Sequence, residues 1–168
     1  MFRWMSPFFA LVSATLVLEG CGQDPTALVP LTAVASIFPT GGSVDVDPTA
    51  PIVISFTGMM GVGMEMYAVL HEGDVSGPVV PGSWTWSTDR TILSFRPAAP
   101  LKSRTRYTLH LGGGMIDAAG EQIDYRRCES RYGGQWATSR MMGGQGMMGP
   151  GWRAANGTYG MVFTFTTA

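Results

Sequence analysis

Histidine and cysteine are nearly missing from this sequence, with two of each in 168 residues. His71 and His110 lie far apart in the chain, and no Ser-His-Asp or Cys-His-Asn arrangement can be assembled around them. No His-Glu-x-x-His and no paired Cys-x-x-Cys occurs, which argues against zinc. An excess of charge is missing too. Eleven Lys and Arg face twelve Asp and Glu, a balance that gives no global field toward nucleic acid or an anionic membrane surface. Helical periodicity is absent throughout. The run Gly144-Gln145-Gly146-Met147-Met148-Gly149 fits G-x-G-x-x-G, but no strand precedes it and no helix follows, so it is not read as a nucleotide loop. These absences point away from an enzyme.

The amino terminus is read as a targeting segment rather than as fold. Arg3 supplies one positive charge, and Trp4 to Leu18 is uncharged and apolar, the length of a secretory core and short for a membrane span. The stretch ends in Leu18-Glu19-Gly20-Cys21, which resembles a bacterial lipobox. That likeness implies a signal peptide at 1–20 and a mature chain starting at lipid-modified Cys21. Leu18 and Gly20 fit, whereas Glu19 departs from the usual small or β-branched residue, and an ordinary secretory signal is the alternative. Gly22 rather than Asp after the cysteine resembles lipoproteins exported to an outer membrane, where the host has one. Residues 21–33 lack charge pattern and periodicity and read as the lipidated cysteine and a tether. With Cys21 acylated, Cys128 has no disulfide partner in the chain.

From Val34 onward, short alternating segments are separated by turn residues. Ile52, Ile54 and Phe56 share one face, as do Leu93 and Phe95, then Tyr107, Leu109 and Leu111, and finally Met161, Phe163 and Phe165. Thr40-Gly41-Gly42, Ser87-Thr88-Asp89, Pro97 to Pro100 and Asp117 to Gly120 supply turns. One-sided alternation implies antiparallel sheets packed face to face. The fold expected is all-β: a single antiparallel β-sandwich over residues 34–168. Its core is expected to gather Phe56, Phe95, Tyr107, Leu109, Phe163 and Phe165. His110 falls on the outward alternation and is expected to be solvated, and His71 is expected on a rim. Asp45, Asp47, Asp117 and Asp124 sit in or beside turns, where local backbone bonding is expected.

The segments FPTGGSVDVDPTAPIVISFTGMM, TILSFRPAAPLKSRTRYTLHLGGGMIDAAG and FTFTT occur in that order. They resemble the bacterial Ig-like domain of the SbsA type, an S-layer-associated family. The resemblance implies an Ig-like sandwich, an extracytoplasmic spacer or binding module of the cell envelope, and no catalytic residues. It also places Tyr107 at the tyrosine corner, two residues before Leu109. The chain departs from the family in a long insertion at 121–158, before the last strand. An insertion of that length is expected to be irregular and functional or mobile, and removing Arg127 to Ala155 is expected to leave a folded domain.

Methionine is what the sequence has in quantity, and the insertion carries Met141, Met142, Met147 and Met148 among glycines. Mapped on an Ig-like sandwich, these four, with Met59, Met60, Met64 and Met115, are expected at the pole where the B–C and F–G loops meet. Three readings stay open. Methionine fills irregular gaps, so the cluster is packing. Thioethers select Cu(I) or Ag(I) without charge, with Cys128 adding a thiolate; exported copper-handling proteins often show such Met pairs. Against that, Arg126, Arg127, Arg131, Arg140 and Arg153 face only Glu129 between positions 126 and 153, which repels cations. The third reading is an apolar surface for an envelope protein partner, anchored by Tyr132, Trp136 and Trp152. Beyond the lipid's membrane and that protein, no partner is expected, and no cofactor apart from the soft ion.

Overall fold

A computed structural model describes residues 30–142, 147–149 and 151–168; the expected signal peptide, Cys21 and most of the tether lie outside them. Eight strands form in chain order: β1 (Val34–Phe38), β2 (Ile52–Phe56), β3 (Ala68–Glu72), β4 (Gly82–Trp86), β5 (Ile92–Pro97), β6 (Arg106–Leu111), β7 (Gln135–Trp136) and β8 (Met161–Thr166). A short helix, α1 (Cys128–Tyr132), precedes β7, and a 3-10 turn over Met64–Tyr67 leads into β3. Among the described residues no helix is long and apolar enough to cross a membrane.

The strands divide into two four-stranded sheets, β1-β2-β5-β4 and β3-β6-β8-β7, and every pairing is antiparallel. Alternation explains the facing surfaces. Ile54 pairs with Leu93 across β2 and β5, and Leu109 pairs with Phe163 across β6 and β8. All four side chains are fully buried. Phe56, Phe95, Tyr107, Leu109, Phe163 and Phe165 all fall in one buried cluster. Burying each such side chain contributes about 1.5–3 kcal/mol, so the inner faces supply the main driving force. The Tyr107 ring lies along Phe165 with centroids 5.8 Å apart. Its hydroxyl oxygen accepts the Lys102 backbone N–H at 2.9 Å, five residues upstream, as a tyrosine corner does.

The second sheet departs from one-sided burial. Thr108, His110 and Val162 alternate to the outside of β6 and β8, yet all are buried, and so is His71 on β3. The insertion is the cover. Cys128 and Tyr132 of α1 enter the main core, and the Tyr132 hydroxyl donates to the Ala35 carbonyl. β7 then pairs with β8, setting Gln135 opposite Val162 and Trp136 opposite Met161. Farther on, Gly113 and Gly114 donate their N–H groups to the carbonyls of Trp152 and Gly151 at 2.8 and 2.9 Å. Glycine permits this approach: a Cβ on Gly114 would lie 2.2 Å from the Gly151 oxygen, and one on Gly112 would lie 2.8 Å from the Trp152 ring.

Among its described residues the insertion is irregular apart from α1 and β7, but it is no detachable appendage. Excising Arg127 to Ala155 would remove Cys128 and Tyr132 from the core, β7 from its sheet and the cover from the outer face. The structure therefore argues against the expectation that the remainder would fold. Both histidine expectations are corrected, since His71 and His110 are 0% exposed: Met147 and Trp152 of the insertion lie against His110, and Gly77 and Val79 lie against His71.

The outer edge of β8 is closed as well. Ala137 donates to the Gly160 carbonyl at 2.8 Å beside β7, Gly42 donates to the Thr164 carbonyl at 2.7 Å, and Thr166 donates to the Ser43 carbonyl at 2.9 Å. Two segments far apart in sequence thus share one strand edge.

Candidate functional site

The methionines do not gather at one pole. Met60, Met64 and Met115 do meet at one end of the main core, where Met60 bridges to Asp117 and the Met64 sulfur accepts the Ile116 N–H at 3.2 Å. Met59 is exposed there, and its sulfur accepts from the Arg90 guanidinium at 3.3 Å. Met142 and Met147 belong instead to a second cluster with Val75, Ala137 and Val162, against which Met141, Trp152 and Tyr159 pack. Met148 is exposed. The expected single cluster is therefore corrected to two, one inside the sandwich and one outside the second sheet. The reason is the path of the insertion, which β7 carries along the sheet edge and the Gly113–Trp152 bond returns over its face.

Cys128 is not with the insertion methionines. It is buried in the main core, where burial pushes its thiol up to about 12, with the nearby Asp124 carboxylate adding to the shift. A protonated, buried thiol is not the thiolate that metals and electrophiles require. The aromatic anchors expected of a partner surface also turn inward. Tyr132 is buried, Trp136 meets Tyr125 edge to face at 6.4 Å, and Trp152 lies 4.8 Å from the His110 ring and 5.7 Å from Tyr67.

The two histidines are the groups the sequence reading discounted; His110 lies against Met147 and Trp152 of the second cluster, and His71 is its neighbour on the same sheet face. His110 pairs with Val69 and Val162 across its neighbours, and His71 pairs with Thr108. The two rings are therefore diagonal neighbours on one sheet face, a separation of about 7–8 Å between backbones. The Nε2 of His110 lies 2.7 Å from the Tyr159 carbonyl, and its Nδ1 lies 3.2 Å from the Met147 sulfur. Burial, against the opposing pull of the Tyr159 carbonyl, lowers the His110 pKa to about 4. The Nδ1 of His71 lies 3.0 Å from the Gly77 carbonyl. Burial likewise lowers the His71 pKa, and its Nε2 has no hydrogen-bond partner among the described residues. A signal for this face was present in the sequence: Met161-Val162-Phe163 is apolar without a break, as in strands buried on both sides.

A cleft of about 460 Å³ opens beside this cluster, lined by Asp74, Arg106, Gln135, Arg140 and Met141, with Thr108 at its floor. Among the described residues, no three His, Cys, Asp or Glu side chains converge as a metal site. The turn carboxylates are engaged locally: Asp47 accepts from the N–H and hydroxyl of Thr49 at 2.7 and 2.8 Å, and Asp124 pairs with Arg126 at 2.9 Å.

The bacterial Ig-like domain family matches residues 29–130, more than half of the chain. The chain belongs to this family. The family match ends inside α1, so β7, β8 and most of the cover lie beyond it. No curated protein matches this Ig-like chain. Similar solved structures include L,D-transpeptidase 1 of Mycobacterium tuberculosis, at 20% identity over 56% of this chain and 39% of that one, with a TM-score of 0.39. An L,D-transpeptidase of Mycobacterium smegmatis gives 18% identity, 56% and 40% coverage and a TM-score of 0.39. The S-layer protein rSbsC(31-844) gives 13% identity, 56% and 12% coverage and a TM-score of 0.41. The Ig-like chain spans less than half the length of each of these proteins.

Proposed function

We propose that the protein is a lipid-anchored, non-enzymatic module of the bacterial cell envelope, acylated at Cys21 and serving as a spacer or as a binding domain for another envelope protein. The observation that carries this reading is the family match beginning at residue 29, a short tether beyond Leu18-Glu19-Gly20-Cys21. The anchor and the module are adjacent, so the sandwich would stand directly on the membrane. Gly22 favours an outer membrane where the host has one. Mass spectrometry of the mature amino terminus tests the anchor. A start at diacylated Cys21, with Cys21→Ala losing membrane partitioning, is the expected result, and an unmodified start elsewhere overturns it.

A second reading, capture of Cu(I) or Ag(I), is favoured by the approach of the Met147 thioether to a ring nitrogen of His110. It moves the donor set away from the pole and away from Cys128.

A further inference from the structure

The contact between His110 and Met147 is not a hydrogen bond. The Tyr159 carbonyl can only accept, so Nε2 of His110, 2.7 Å away, carries the ring proton. The ring is fully buried and has no ion-pair partner among the described residues, so it holds that single proton and Nδ1 is a bare lone pair. Thioether sulfur also offers a lone pair and has no proton to give. Two electron-pair donors therefore face each other at 3.2 Å inside the protein, an arrangement with no attraction of its own.

His71 repeats the pattern. The Gly77 carbonyl fixes the proton on Nδ1, which leaves Nε2 as a second bare nitrogen, buried and unpartnered among the described residues. A backbone carbonyl holding one ring nitrogen so that the other presents its lone pair is the outer-shell device of metal-binding histidines. Met142, fully buried, packs with Met147 in the same cluster.

We propose that the outer face of β3 and β6 is a soft-metal site in which His110 Nδ1 and Met147 Sδ bind Cu(I) or Ag(I), with His71 Nε2 and Met142 Sδ completing the donor set. The proposal rests on the soft-metal reading and specifies its ligands. Neutral imidazole and thioether without a carboxylate suit a soft monovalent ion and disfavour Ca²⁺ and Mg²⁺. The cleft lined by Met141, Val162 and Thr108 adjoins the cluster that holds Met142 and Met147.

The test is a Cu(I) titration of the full-length chain in detergent against a chromogenic Cu(I) chelator, followed by Ag(I) addition to isotope-labelled wild type observed by NMR. Wild type should take one equivalent. Removing an outer-shell partner typically weakens metal binding about 10–100-fold, so Met147→Leu and His71→Gln, which delete direct ligands, should each weaken it by roughly 10-fold or more. The triple change Met60→Leu, Met64→Leu, Met115→Leu should leave affinity unchanged. In the NMR arm, which needs no variant to fold, the His110 ring and Met147 methyl signals should shift while those of Met64 and Met115 stay. No uptake by wild type overturns the soft-metal reading altogether. Uptake that survives Met147→Leu and His71→Gln but is lost in the triple variant, or shifts confined to Met64 and Met115, overturns this site and returns the ion to the pole.

Discussion

Val162 offers a direct test of the covered sheet face. It lies on the outside of β8, opposite His110 on one side and Gln135 on the other, and is 2% exposed beneath Met142 and Met147. On an ordinary sandwich this outward position would be wet, and Val162→Asp would change stability by no more than about 0.5 kcal/mol. Here the substitution forfeits about 1.5–3 kcal/mol of burial. It also strands a carboxyl group that must either ionise without a partner or protonate, costing roughly 1–3 kcal/mol more. The expected loss is about 2.5–6 kcal/mol, a large part of the roughly 5–15 kcal/mol that holds a domain together. Urea denaturation measures the total. Limited proteolysis between Thr138 and Ala155 distinguishes global unfolding from release of the insertion alone. A variant with the parental midpoint and parental protease resistance would refute the two-sided burial of β8.

Four further outcomes are expected. Phe163→Ala, on the opposite side of the same strand, should cost about 3–5 kcal/mol by urea denaturation. Replacing Arg127 to Ala155 with a short turn should abolish the cooperative transition, read by near-ultraviolet circular dichroism. In the metal-free protein, His110 has its pKa depressed to about 4 from about 6.5 when unfolded, so the unfolded chain binds the proton first. Stability is then full above about pH 6.5 and falls toward pH 4 by about 3 kcal/mol, with the lowered His71 acting in the same direction; equal urea midpoints at pH 7.5 and 4.5 would contradict this. Cys128, with its thiol near 12 and buried, should resist an aromatic disulfide reagent at pH 8 and react once urea unfolds the chain.

The sandwich was legible because each inner face carries its own period. Ile52, Ile54 and Phe56 announce β2 locally, and Tyr107, Leu109 and Leu111 announce β6, with no knowledge of what they pack against. The cover was not legible for the converse reason. Its contacts join Gly113 to Trp152 and His110 to Met147, and the insertion's partner in each, Trp152 or Met147, sits in no periodic segment. β7 is two residues long, too short to alternate, and α1 has five. Outward alternation correctly told which way His110 points, but alternation is silent about whether solvent or protein lies there. The inference that the methionines share a pole failed at the same step: topology placed the ends of the insertion and left its path open.

The closed edge of β8 bears on solubility. Met161 to Thr166 is six residues of Met, Val, Phe and Thr with no charge and no proline, the composition that adds readily to another strand. Its outer N–H and carbonyl groups are occupied by β7 and its flank at one end and by Gly42 and Ser43 at the other, so no row of free partners is offered. Held by the lipid anchor proposed above, the protein would meet its own copies at high local density. Parting β7 from β8 would bare the Met161 end of that edge, while Gly42 and Ser43 still cover the other end.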